Sequence, residues 1–155
     1  MSHPFVALGA ITITAMTAAF GIIQVPGWID EAHDSAVSAD LAFVQTLEER
    51  ALLKTRSYWN GNQLQEKAGT VRGRDLPAER PLCVSAAALG IGYAAVGKSD
   101  SGTYLARTSA SDVEGTGSTP LAAIAAAGGL PPGVPTPVSG DSCTAGAQLV
   151  YTPVG

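Results

Sequence analysis

FVALGAITITAMTAAFGII, residues 5–23, contains no Asp, Glu, Lys or Arg. Its reading decides the fold, because about 20 apolar residues in one helix span about 30 Å, the thickness of a bilayer core. The hydroxyls of Thr12, Thr14 and Thr17 can bond back to carbonyls one turn earlier, so they do not interrupt it. Ala, Gly and Thr are frequent in the run, which lets neighbouring helices approach closely. The bulky positions Phe5, Leu8, Ile11, Ile13, Phe20, Ile22 and Ile23 are the expected packing contacts. Three readings compete: a cleaved secretory signal, a single-pass anchor, and a helix held in lipid and later packed against copies of itself. Only His3 precedes the run, so the basic n-region of a signal peptide is missing. With no Lys or Arg ahead of the run, charge orients it weakly, short N-terminus inside and long C-terminal part outside.

Downstream, residues 30–58 read DEAHDSAVSADLAFVQTLEERALLKTRSY. Ala32, Ala36, Val37, Leu41, Val44, Leu47, Ala51 and Leu52 recur at spacings of three and four, one face of an amphipathic helix. Val37, Leu41, Val44, Leu47 and Leu52 are the expected contacts between that helix and whatever it packs on. Asp30, Glu31 and Asp34 suit the positive end of the helix dipole, and Lys54 and Arg56 the negative end. Asn60-Gly61-Asn62 is the expected stop. Pro26 and Gly27 separate the two helical stretches, and a kink or short melted segment is expected there.

An apolar helix, a proline, and then an amphipathic helix carrying Ala36-Val37-Ser38-Ala39-Asp40-Leu41 together resemble a type IV pilin, with a phrase similar to one in Gram-positive members. Counted from Phe5, Pro26 falls at the family's proline position. The resemblance covers residues 5–58 well and the remainder in outline. It implies a filament subunit whose partners are identical copies, a pilus assembly machinery, and a membrane before assembly. Two departures stand out. The family's usual glutamate at the fifth position is Gly9 here, and no acid occurs before Asp30. No basic leader ending in glycine precedes Phe5; Pro4 does.

The 155 residues allow one compact domain plus an extra helix. Charged residues make up 14% and the formal net charge is -4, which argues against a phosphate-binding face. The stretch Gln63–Pro81 gathers Lys67, Arg72, Arg74 and Arg80, just after Arg56, but Glu66, Asp75 and Glu79 are interspersed and aromatics are absent. It reads as a solvated connecting loop rather than a nucleic-acid surface. The two cysteines, Cys83 and Cys143, are either free buried thiols or a disulfide; an export segment ahead of them favours the disulfide.

Strand-like runs occupy Leu82–Leu89 and Ile91–Val96. A turn at Lys98–Gly102 leads to a returning strand, Thr103–Thr108. Thr119–Ala127 reads as a short helix with Pro120 in its first turn, and Gln148–Thr152 as a last strand. A strand bearing the first cysteine followed by a hairpin also resembles the pilin pattern.

No catalytic pattern emerges. His3 and His33 are the only histidines, and no metalloprotease, hydrolase-elbow or P-loop phrase occurs. His33 with Asp30 and Asp34 is a weak metal candidate, better explained as helix polarity. Gly90-Ile91-Gly92 lacks the rest of a dinucleotide fingerprint. Trp28 suits an interfacial anchor or groove contact, and Trp59 a contact between head and helix.

The expectation is an α+β fold. Residues 1–29 form a hydrophobic transmembrane or filament-core helix, 30–60 an amphipathic helix, and 61–155 a small antiparallel β-sheet head closed by one disulfide. The expected function is a non-enzymatic pilin of an extracellular type IV pilus-like filament, with no cofactor, no metal and no specific nucleic acid. It would be held as a single-pass membrane protein before assembly. A minor pilin or secretion pseudopilin, and a non-polymerising membrane-anchored surface binding domain, are the alternatives. Adhesion, motility, DNA uptake and secretion all use such filaments, and these residues favour none of them.

Overall fold

Helix α1 spans Pro4–Thr55, 52 residues, and is followed by a short helix α2, Gly61–Lys67. The computed structural model describes the backbone of residues 4–67, 82–140 and 142–149, and within these the side chains from Gly27 onward, apart from Lys67. The strands are β1 Leu82–Ala86, β2 Tyr93–Lys98, β3 Tyr104–Thr108 and β4 Ser111–Gly117. Helix α3, Pro120–Ala126, comes next. Short strands β5 Val138–Ser139, β6 Ser142–Cys143 and β7 Gln148–Leu149 follow. The main sheet has the order β4-β3-β2-β1-β7, every pairing antiparallel, and β5 with β6 makes a separate two-stranded ribbon. The chain is therefore α+β: a long N-terminal helix packed on a small antiparallel sheet.

Strand alternation divides the core into two layers. Leu82, Val84, Tyr93, Ala95 and Leu105 face α1, where they meet Val37, Leu41, Val44 and Leu47. Leu64 of α2 and Leu149 of β7 complete this cluster, with Tyr58 and Trp59 partly buried beside it. On the opposite face Val96, Tyr104 and Ala106 pack on Ala123, Ile124 and Ala127 of α3. Leu52 is half-buried and lies outside both clusters; Ala51 takes the buried position at that turn of α1.

The helical backbone continues through Pro26 and Gly27 without melting. The side chains of Phe5, Leu8, Ile11, Ile13, Phe20, Ile22 and Ile23 lie outside the described residues. Among the described residues, no helix is long and apolar enough to cross a membrane. This corrects the expectation of a transmembrane helix and of a single-pass membrane stage. The physical reason is visible along Gly27–Thr55: Asp30, Glu31, Asp34, Asp40, Glu49, Arg50 and Lys54 interrupt it, and charge at the centre of a bilayer is costly. The apolar stripe that remains faces the protein's own sheet rather than lipid.

Helix α2 and strand β4 differ from the sequence reading. Asn60 caps α2 rather than only stopping α1: Gln63 N–H donates to Asn60 Oδ1 at 3.0 Å, and Asn60 N–H donates to Gln63 Oε1 at 3.0 Å. This is a reciprocal capping box. Strand β4 carries Asp112, Glu114, Gly115 and Gly117, all poor strand formers. It forms because α3 lies directly on it. A Cβ added at Gly115 would meet the Ala123 carbonyl oxygen and the Ala127 amide nitrogen, both backbone atoms that cannot swing away. Gly115→Val is therefore expected to cost about 3 kcal/mol by overpacking. Urea unfolding followed by circular dichroism checks this, and an unchanged midpoint would refute the close approach.

Cys83 and Cys143 form a disulfide with Cα atoms 5.2 Å apart. It joins β1 to β6, and so holds the segment after α3 over the sheet.

Candidate functional site

The described stretch of α1 has two faces with different roles. Its inner face, Val37 to Ala51, is spent on the head. Its N-terminal described turns are not: Trp28 is 66% exposed and Ile29 is 49% exposed. Trp59, by contrast, is half-buried against the helix-side cluster.

Polar contacts tie α1 to the sheet at two levels. Near the start of the packed stretch, Ser101 Oγ donates to Asp34 Oδ1 at 2.7 Å. His33 Nδ1 lies 3.9 Å from Asp100 Oδ2. Both contacts bring the β2–β3 turn against the helix. One level further along, Ser38 Oγ donates to Glu114 Oε2 at 2.9 Å, and Arg107 Nε donates to the same oxygen at 3.1 Å. Arg107 Nη1 in turn donates to Gln45 Oε1 at 2.6 Å. The guanidinium thus bridges α1, β3 and β4 by charge-assisted bonds in a half-buried setting. This network fixes how the helix sits on the head.

The metal candidate is taken apart by these contacts. Asp34 and His33 turn toward the β2–β3 turn, while Asp30 is exposed. Among the described residues there is no group of three or more His, Cys, Asp or Glu placed to hold a metal ion. Of the basic residues around the connecting stretch, Arg56 is exposed and adopts φ 61 as α1 ends, whereas Arg72, Arg74 and Arg80 lie outside the described residues. Gly90-Ile91-Gly92 forms the β1–β2 turn, with the Gly90 carbonyl accepting from Tyr58 N–H at 2.9 Å.

Glu48 is the residue the sequence reading missed. It is 0% exposed. Glu48 Oε2 accepts from Trp59 N–H at 2.9 Å, while Oε1 finds no hydrogen-bond partner among the described residues. Burial raises its pKa from the ordinary 4.5 to about 8, and the Trp59 bond opposes this only in part. At neutral pH it is therefore mostly a neutral acid. Tyr58 and Tyr93 stand close by, with ring centroids 5.0 Å apart. Burial raises the pKa of each hydroxyl, and Glu48, when ionised, raises both further. The signal was available: Leu41, Val44, Glu48 and Ala51 continue one helical stripe.

Large apolar side chains are exposed at a few places. Leu89 is 81% exposed and Ile91 is 68% exposed, flanking one tight turn at the end of the head where α1 stops. Leu53 of α1 is exposed at the same end.

Compared with protein-family models, with curated proteins and with solved structures, the chain matches none.

Proposed function

We propose that this chain is a structural subunit, a pilin, of an extracellular type IV pilus-like filament, polymerising through the N-terminal part of α1. The observation that carries the reading is the mismatch between helix and head. A helix of 52 residues is about 78 Å long, whereas the stretch buried on the sheet, Val37 to Ala51, covers about 21 Å. A helix far longer than its own head requires is explained when its remainder packs against other copies. The small residues of 5–23 suit close helix approach, and the sequence resemblance to pilins points the same way. The Cys83–Cys143 disulfide suits an oxidising compartment outside the cytosol.

On this reading the protein acts by assembly rather than by catalysis, with identical copies and an assembly machinery as its partners. Electron cryo-microscopy of sheared surface filaments, with mass spectrometry of the subunit, tests it. The expected map has residues 5–26 in the filament core and the sheet on the outer wall. A chain absent from filaments and monomeric at every concentration overturns the reading. Trace stoichiometry within filaments assigns it to the minor-pilin class.

A further inference from the structure

Helices α1 and α2 are joined by Ser57, Tyr58, Trp59 and Asn60, which belong to no helix or strand and are all half-buried. This link begins where Arg56 turns the chain at φ 61, a left-handed conformation that costs free energy in a residue with a Cβ. It ends at the capping box on Asn60. Between these points two of its amides reach across to the rest of the head. Tyr58 N–H donates to the Gly90 carbonyl on the β1–β2 turn at 2.9 Å, and Trp59 N–H donates to Glu48 Oε2 at 2.9 Å. An open cavity of about 320 Å³ is lined by Ser57, Tyr58, Trp59 and Asn60 together with Gln63 and Gly90. Glu48 does not line it. The carboxyl is 0% exposed, and its Oε1 meets no partner among the described residues. The link thus borders solvent on the cavity side, and its Trp59 amide ends on a buried acid.

We infer that residues 57–60 are a strap that closes over the neutral Glu48 carboxyl and lifts away when that carboxyl loses its proton, with α1 and the sheet still folded. The inference does not depend on the filament reading. An enclosed carboxylate with one N–H bond is far costlier than the neutral acid, and the cost is relieved by the movement that admits water at least expense. Parting α1 from the sheet would uncover Val37, Leu41, Val44 and Leu47 with their partners, and parting β1 from β2 would break a pairing of four residues. Lifting the strap gives up the Tyr58 and Trp59 bonds and the partial burial of two rings, but no helix or strand; local opening occurs in segments of this kind. The groups around Glu48 do not neutralise its charge. Tyr58 on the strap and Tyr93 on β2 are acids whose own ionisation is pushed up by burial and then by Glu48. Glu49, next on α1, has the same sign. Arg107 of β3, which acts on Tyr93, is engaged with Glu114 and Gln45. Under the closed strap the carboxyl titrates at about 8, and once in water near the ordinary 4.5. Between those values opening releases a proton, so the open population rises with pH by up to about tenfold per unit and levels off above about 8.

Amide hydrogen exchange on the full-length chain, corrected for the intrinsic rise of exchange with pH, tests the strap. The Tyr58 and Trp59 amides are expected to lose about 50-fold in protection between pH 6 and pH 8. Their rates are expected to stay unchanged in dilute urea, because a local opening exposes little surface. Val84 and Ala95, in the centre of the sheet, are expected to stay better protected and to exchange faster as urea is added. Glu48→Gln keeps an acceptor for the Trp59 amide and cannot ionise. It is expected to flatten the pH dependence at Tyr58 and Trp59 while Val84 and Ala95 remain protected, which shows that the variant is folded. The urea dependence of the unaltered chain decides the matter without any variant. Strap amides that follow urea as Val84 and Ala95 do would mean that residues 57–60 open only when the whole head unfolds, and the strap is overturned. Protection that does not change between pH 6 and pH 8, or that falls as steeply in folded Glu48→Gln, overturns Glu48 as the trigger.

Discussion

Raising the pH from 5 to 9 is expected to remove on the order of 4 kcal/mol from the stability of the folded head, and Glu48→Gln is expected to abolish most of that loss. The buried carboxyl titrates near 4.5 in the unfolded chain and at about 8 in the folded one. Between those values the folded protein keeps a proton that the unfolded chain has released, so stability falls as pH rises. Below about 4.5 the contribution is fully present, and above about 8 the curve levels off. Each pH unit in the window is worth about 1.4 kcal/mol, which sets the overall magnitude. The cost has a structural origin. Glu48 is enclosed by the helix and sheet, has one bond from Trp59 N–H, and offers its second oxygen no partner among the described residues. Glutamine keeps an acceptor for Trp59 and cannot ionise. Denaturant midpoints for both proteins at pH 5, 7 and 9 make the comparison, and groups common to both cancel in the difference. Parallel pH curves for the two proteins would show that Glu48 is not the group responsible.

Replacing Cys83 and Cys143 together by serine is expected to destabilise the head by about 4 kcal/mol, the chain-entropy value for closing a loop of about 60 residues. That is a large share of the 5–15 kcal/mol that ordinary domains possess. It matters here because the segment after α3 contributes little sheet of its own. β5, β6 and β7 are two residues each, and β7 reaches the main sheet through only two register pairs with β1, Leu82 with Leu149 and Cys83 with Gln148. The disulfide is what holds β6 beside β1. A guanidinium midpoint lowered to the same extent by a reductant and by the double serine variant is the expected pattern. A midpoint that moves with neither would place the stability of the head elsewhere.

The amphipathic stripe of residues 30–58 could be read directly, because helical periodicity depends only on the spacing of apolar residues. The turn at Ser99–Gly102 and helix α3 could be read for a similar reason: glycine, proline and a Thr119 cap act on their immediate neighbours. Strand β4 could not be read. Its glycines argue against a strand locally and are required by the backbone of α3, which is non-local. Helix α2 was hidden because Asn60-Gly61-Asn62 was weighed as a stop, when Asn60 ends one helix and caps the next. Glu48 was passed over because charge was counted as surface even where the periodicity turned it inward.

What the sequence determined by itself is the helix-then-sheet order, the inner face of α1, the hairpin from β1 to β3 and the two cysteines that join. These follow from local propensity and from patterns of two and of three to four residues, which any chain carries in its own order. What only the tertiary structure decided is where apolar and charged groups finish once elements meet. It turned Glu48 into a buried acid and made a strand of Ser111–Gly117. It gave Arg107 partners on α1 and β4, and it left Leu89 and Ile91 exposed at one end of the head and Trp28 and Ile29 at the other. Those outcomes depend on residues far apart in the chain coming within contact distance, and burial, desolvation and exposure exist only after they do.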